Sequence, residues 1–508
     1  GTVLVMLASA LFATLGVEVQ PKLPETVLVD GVEQLRLVDN TDKDVLTAVN
    51  LLSSDGLYWC LSTLVDNFIG FAPLGIVLVG MLGIGVSERS GLLADLLKLF
   101  ATIVPNQLIT PAFVFLGIMS SLGMDAGYVV LPPLAAAVYA GLGRSPLVGI
   151  AAVFAGVSAG FNANLLVTGL DPLLAGITNE AGAIIDPTTN VAPTANWYFM
   201  AASTIIITFA GWFATAFFVE RRMNIKPAEE GGPSADHASE HEPIKVAPLI
   251  YAIASFFAVI ALVIILALIP GSPLYGKVDA SDPKSFDRWV ANIVPILFFA
   301  FLTPGLVFGF MSRTIKGGKD ITDMMIETMK DMAPIIVLAF FAGQFVKHFE
   351  HSNLGAMLAY SGGELLFAAG LQNYPILLLI AFIIVVAFFN LFMGSMSAKY
   401  LILAPIFVPM LMLVNIRPEL TQVTYRIGDS ITNIVTPLNA YLIIILVFIQ
   451  QYAKKAGMGT IISLMLPYTF VFGIVWTILL IVWHALGIPL GPGDSILTPD
   501  ATQTILAP

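Results

Sequence analysis

Long apolar runs alternate with short polar or charged stretches from one end of the chain to the other. A helix that crosses a bilayer needs about 20 predominantly apolar residues. On that measure Phe68 to Val86, Asn196 to Val219, Ala247 to Ile269, Asn292 to Met311 and Ile461 to Leu486 are predicted spans, and Ile335 to Val346 is a short one. Val3 to Val17 reads as a first helix that has lost its beginning; no basic n-region precedes it and no A-x-A-like cleavage site follows it to mark it as a signal peptide. A polar, acid-containing loop, Val19 to Asn50, follows it, then a mixed helix over Asp55 to Asn67. Leu354 to Ala369 reads as a surface helix.

Four runs break the pattern. Leu108 to Leu142 is interrupted by Met119-Ser-Ser-Leu-Gly-Met-Asp125, and Pro375 to Leu413 by Gly394-Ser-Met-Ser-Ala-Lys399. Two apolar arms around a polar tip predict a re-entrant hairpin, tolerated at membrane depth only where protein or a water-filled cavity covers the tip. Leu147 to Leu174 is broken at Gly156-Val-Ser-Ala-Gly160, and Val423 to Ile449 around Asp429 to Pro437, which predicts two unwound helices. Basic residues after several spans (Arg89; Arg221, Arg222 and Lys226; Arg313, Lys316 and Lys319; Lys454 and Lys455) place those ends in the cytoplasm. The charged stretch 220–245 is then a cytoplasmic linker between a first half, 1–219, and a second half, 246–508.

The two hairpin regions resemble each other. One constant, ungapped offset pairs Tyr128 with Tyr400, Leu131 with Leu403, Pro133 with Pro405, Pro146 with Pro418, Gly156 with Gly428 and Ser158 with Ser430. The first hairpin enters from the cytoplasm and the second from outside, so the copies are inverted. Inverted repeats with broken helices meeting near the midplane are a recurrent design of secondary transporters. The charges are not duplicated: Arg426 and Asp429 align with Phe154 and Val157.

Composition narrows the function. With 57% hydrophobic and 11% charged residues the chain is an all-α polytopic membrane protein. A net charge of -11 argues against nucleic acid as a partner. The lone Cys60 and five His without HExxH spacing support neither redox nor zinc chemistry. Gly317-Gly318-Lys319-Asp320 lacks the remaining residues of a phosphate loop, which argues against an ATP-driven pump, and no constellation supports an enzyme.

The candidate chemistry lies in the breaks. Ionised side chains in lipid cost at least about 2.5 to 3.5 kcal/mol, so Lys399, Arg426 and Asp429 demand a polar cavity. Arg426 and Asp429 stand three apart on one helix, a spacing that permits a self-neutralising ion pair. Alternatively Arg426 receives a substrate carboxylate while Asp429 binds a cation or exchanges a proton. Asn390, Asp429, Asn433 and Ser395 form a candidate Na+ site. Ser120, Ser121, Ser395 and Ser397 are either helix caps or ion contacts. Asn162 and Asn164 are coordinating groups or interhelical glue. Asp125 is a candidate cation acceptor at the first tip, and Lys399 either snorkels or pairs with an acid.

The stretches AAVFAGVSAGFNANLLVTGLDPLLAGIT, ANWYFMAAST, GSMSAKYLILAPIFVPMLML, YRIGDSITNIVTPL and GTIISLMLPY together resemble the p-aminobenzoyl-glutamate transporter (AbgT) family. The resemblance implies a homodimeric inner-membrane protein with about nine transmembrane helices and two re-entrant hairpins, using a Na+ or H+ gradient and no other cofactor. It implies folate-related metabolites or sulfonamide-type antimetabolites as small-molecule substrates. Export leads; uptake of p-aminobenzoyl-glutamate or a dicarboxylate-like anion is the alternative, and an ion channel is the reading after that. Carried over by position, the substrate site comprises Asp171, Ser397, Tyr400, Arg426, Asp429 and Pro437. Tyr400 stands where the family pattern has Trp, which keeps a stacking ring of smaller area. The first tip departs from the family's SN-type motif.

Overall fold

The computed structural model describes residues 1–29, 32–41, 43–123, 126–233, 245–279, 287–439 and 441–492. Among them six helices are long and apolar enough to cross a membrane, including Trp197–Met223, Val246–Leu268, Ile293–Ser312 and Met458–Ala485. Only 11% of the apolar window of Val246–Leu268 is buried, so much of its hydrophobic surface faces outward, the rest packing against Ile293–Ser312. That is the reverse of a water-soluble helix and suits a lipid solvent. Ile335 to Val346, expected as a short span, belongs to the longer helix Ala333–His351.

One expectation fails in the segment read as a polar loop. Lys22–Val29 and Val32–Asp39 form an antiparallel hairpin in which Lys22 faces Asp39 and Val29 faces Val32. Val27, Val29 and Val32 around the Asp30-Gly31 pair carry the hairpin signature of β-branched residues flanking a turn dipeptide.

The two duplicated regions build the centre. The first hairpin consists of Ile109–Met119 and Ala126–Gly141, the second of Pro375–Asn390 and Met396–Leu413. The first broken helix runs Pro146–Phe154, continues through a π turn at Ala155–Ala159, and resumes at Leu170–Gly182. The second runs Pro418–Thr432 and resumes at Leu442–Tyr452. The paired prolines Pro146 and Pro418 each open a broken helix, where a missing N–H costs nothing.

Their inversion is visible against the helix Trp197–Met223. At the start of the first broken helix, Ser145 Oγ donates to Gly231 O at 2.5 Å, beyond the carboxyl end of that helix. At the start of the second, Glu419 O accepts from Asn196 Nδ2 at 3.0 Å, at the amino end. The broken helices therefore enter from opposite ends of the same rod.

The duplicated glycines mark where each broken helix crosses the first arm of its own hairpin. A Cβ on Gly156 would collide with the Val114 carbonyl oxygen. One on Gly428 would lie 2.7 Å from the Ile383 carbonyl oxygen and 2.7 Å from Val386 Cβ. Val114 and Val386 are themselves partners at the same sequence offset. Both crossings bring backbone against backbone, which only glycine permits.

Candidate functional site

Breaking a helix inside a membrane frees backbone groups and leaves polar side chains that need partners. Here each copy supplies partners to the other. Asn162, in the first break, donates from Nδ2 to Ser430 Oγ at 2.7 Å and to Arg426 O at 3.1 Å. Asn439, in the second break, donates from Nδ2 to Ser158 Oγ at 2.9 Å. The repeated serines Ser158 and Ser430 thus each accept an asparagine from the opposite copy.

Every residue from Leu420 to Ile431 is buried, so the polar side chains of that helix must be satisfied within the protein. Arg426 and Asp429 do not pair with each other. Arg426 Nη1 donates to Asp171 Oδ1 at 2.5 Å, and its Nη2 to Asn162 O at 3.2 Å. Asp171 opens the resumed half of the first broken helix, where its Oδ2 accepts from Thr168 N at 2.6 Å and Thr168 Oγ1 at 2.9 Å. An acid in the first turn also complements the helix dipole. Asp429 Oδ1 instead accepts from Lys399 Nζ, which donates as well to Asn390 Oδ1. Asn390 Nδ2 donates to Asp429 O at 2.7 Å and Thr432 Oγ1 at 3.0 Å. Asp429 Oδ2, Arg426 Nε and Asn162 Oδ1 are buried without a hydrogen-bond partner.

A cavity of about 300 Å³ opens between the two breaks. Ser121 comes from the first hairpin tip, Gly394 and Met396 from the second, Thr168 and Leu173 from the first broken helix, and Asn433 and Tyr441 from the second. The rings of Tyr128 and Tyr441, one from each copy, stack at 3.9 Å between centroids with planes 6° apart, and both line this space. Ser121 Oγ bonds Asn164 Oδ1 at 2.6 Å and joins the tip to the first break. Thr168 lines the cavity and donates to Asp171, so the wall touches the Arg426 pair directly.

The residues singled out in the sequence are not all brought together. Asp171, Arg426, Asp429, Asn390, Asn433 and Lys399 form two hydrogen-bonded groups on one helix: Arg426 with Asp171 and Asn162, and Asp429 with Lys399, Asn390 and Asn433. Tyr400 is fully buried: its ring lies 4.3 Å from that of Tyr425 and its hydroxyl bonds Thr178 Oγ1 at 2.7 Å, so it faces packed protein. Ser397 is half-buried and Pro437 exposed. Ser395 is exposed and caps the second arm through Ala398 N. Ser120 bonds the Gly117 carbonyl at 2.7 Å within its own arm. Asp125 lies outside the described residues. Sequence reasoning missed the cavity lining of Met81, Met332, Tyr128 and Tyr441 as a site; the two tyrosines beside breaks were the available signal.

The donor set bears on what could be held here. Among the described residues no group of three or more His, Cys, Asp or Glu gathers as a metal cluster. In the proposed Na+ set, Lys399 engages one oxygen each of Asn390 and Asp429.

Comparison with known proteins gives a consistent picture. The model of the AbgT putative transporter family matches residues 1–498. The p-aminobenzoyl-glutamate transport protein of Escherichia coli (strain K12) is 36% identical over 462 residues, which cover 89% of this chain and 88% of that protein. The crystal structure of the YdaH transporter of Alcanivorax borkumensis superposes with a TM-score of 0.87 at 38% identity, covering 97% of this chain and 98% of that one. The structure of Neisseria gonorrhoeae MtrF, described as illuminating a class of antimetabolite efflux pumps, matches with a TM-score of 0.85 at 41% identity, covering 97% and 96%.

Proposed function

Because the chain belongs to the AbgT putative transporter family, we propose that it exports folate-related aromatic carboxylates or sulfonamide-type antimetabolites across the bacterial inner membrane. It works by alternating access driven by a cation gradient.

The observation that carries this reading is the cavity between the two helix breaks, with an aromatic pair in its wall and the Arg426–Asp171 pair one hydrogen bond away. A flat aminobenzene ring suits the Tyr128 and Tyr441 faces, since offset stacking of aromatic rings is favourable. An anionic tail suits Arg426, whose planar fork of donors matches a carboxylate. That fork is already held by Asp171 of the other copy. An arriving carboxylate therefore competes with Asp171, and the exchange releases one break from the other. Binding and opening of the site become one event, as a transporter requires, because a ligand shifts a conformational equilibrium only through contacts that differ between its states.

The test is flux in liposomes containing the purified protein, with p-aminobenzoyl-glutamate and a sulfonamide, under separately imposed Na+ and pH gradients. Gradient-driven movement in the export direction is expected. No response to either gradient would remove the coupled-transport reading, and movement only in the uptake direction would reverse the assignment.

A further inference from the structure

We propose that the ammonium group of Lys399 is the resident cation of the second copy: it fills the place a Na+ ion would take, so Na+ does not bind there and substrate movement does not require it. The statement about flux rests on the transporter reading above. The statement about binding does not.

The argument starts from the oxygen atoms available. Asn390 ends the first arm of the second hairpin, Asp429 lies on the second broken helix, and Lys399 follows the Ser395 cap on the second arm. Lys399 is fully buried, and its Nζ donates to Asn390 Oδ1 and Asp429 Oδ1 together. Those are two of the four side chains from which an oxygen cage for Na+ would be drawn. The other two are engaged otherwise: Ser395 is exposed and caps its helix, and Asn433 Oδ1 accepts from Asn390 Nδ2 at 3.4 Å.

Charge makes the occupancy exclusive. A buried carboxylate is tolerated when one opposite charge neutralises it. With Lys399 in place, a second cation at Asp429 would set two positive charges against one negative in a low-dielectric surrounding, where like charges repel strongly. The lysine differs from a bound ion in being tethered. It ties the second hairpin tip to the second break without a diffusing species.

The first copy supports this assignment by contrast. The positions matching Asn390, Lys399 and Asp429 are Ile118, Gly127 and Val157. A Cβ on Gly127 would lie 3.4 Å from Val157 Cγ1, so the positions matching Lys399 and Asp429 remain neighbours but hold no charge. Once the ammonium is taken away, the Asn390 amide oxygen and the Asp429 carboxylate become free oxygen ligands, with the Tyr425 hydroxyl, which donates to Met396 O at 2.6 Å, 3.4 Å from Asp429 Oδ1. That set attracts a monovalent cation.

Thermal unfolding of the purified full-length protein in NaCl against choline chloride at equal ionic strength tests the binding, and needs no substrate. The wild type is expected to unfold at the same temperature in both salts. Lys399→Ala is expected to gain a Na+-specific rise on the order of 3 °C, abolished when Asp429→Asn is added. Lys399→Arg, which keeps the charge, is expected to remain indifferent to Na+. A Na+ response of the wild type that disappears with Asp429→Asn overturns the proposal, whether or not Lys399→Ala folds. So does a folded Lys399→Ala protein that ignores Na+. In liposomes the wild type is expected to move substrate equally with Na+ or choline outside and inside. A protein that moves no substrate at all fails the transporter reading and leaves the unfolding result to decide this one.

Discussion

The two inverted copies share a skeleton and differ in electricity. Pro146 and Pro418 open the broken helices, Gly156 and Gly428 lie against Val114 and Val386, and Ser158 and Ser430 each accept an asparagine from across the pseudo-symmetry. Where the second copy carries Tyr425, Arg426 and Asp429, the first carries Val153, Phe154 and Val157. The crossing at each break is thus held by neutral groups in both copies; the first copy adds one charge, Asp171 at its resumed half, and the second adds Lys399, Arg426 and Asp429. At the matched crossing positions the first copy shows that this backbone geometry does not need charge. The charges of the second copy are then candidates for work rather than for architecture.

That contrast can be broken by removing the charges. Arg426→Ala and Asp429→Ala are each expected to abolish flux in liposomes while the protein still reaches the membrane. Arg426→Ala also leaves Asp171 without its buried partner, a loss of about 3 to 5 kcal/mol that would show as a lower unfolding temperature. Phe154→Leu and Val157→Ala, at the matched positions, are expected to keep flux. Equal loss in both copies would end the division of labour.

A smaller effect sharpens the shared part. Gly156→Ala and Gly428→Ala each force a methyl group into a backbone crossing, with an expected cost of about 1 to 3 kcal/mol in thermal unfolding. The two losses should be similar. A Gly428→Ala protein as stable as the wild type would show that the crossings are not equivalent.

The smallest effect concerns the exchanged hydrogen bonds. Ser158→Ala removes an acceptor from the half-buried Asn439 and Ser430→Ala one from the buried Asn162; each amide keeps a second acceptor, so the cost is about 0.5 to 1.5 kcal/mol. Double-mutant cycles of Ser158 with Asn439 and of Ser430 with Asn162 should return coupling energies of the same size. Coupling in one pair and none in the other would confine the exchange to a single copy.

Much of this scaffold was legible in the sequence, because lipid allows few solutions. A Gly- or Ser-containing interruption of an apolar run needs a protein-covered site, and the repeat of Pro, Gly and Ser at one offset announced a duplicated fold. The partners were not legible. Arg426 and Asp429 sit three apart, where helix geometry invites a local pair, yet each finds its counter-charge on another segment: Asp171 for Arg426, Lys399 for Asp429. Side-chain spacing along one helix says which groups share a face and nothing about what that face meets. Tyr400 illustrates the same limit. Its place in the motif suggests a surface for an aromatic substrate, while packing closes Tyr425 over its ring and Thr178 over its hydroxyl. The cavity itself draws on residues as separate as Met81, Met332 and Tyr441, which no local pattern connects.

The crossed pairing of Ser158 with Asn439 and Ser430 with Asn162 also governs how the protein can be assembled. Each half of the chain contains a break with polar groups that find a partner in the other half. A half made alone would carry unmatched amides and hydroxyls into the bilayer, and membrane quality control would meet it as a defective product. Two halves produced as separate polypeptides, divided within 234–244, should therefore be degraded singly and accumulate when made together. The molecule behaves in this respect as an obligate heterodimer whose subunits share one gene.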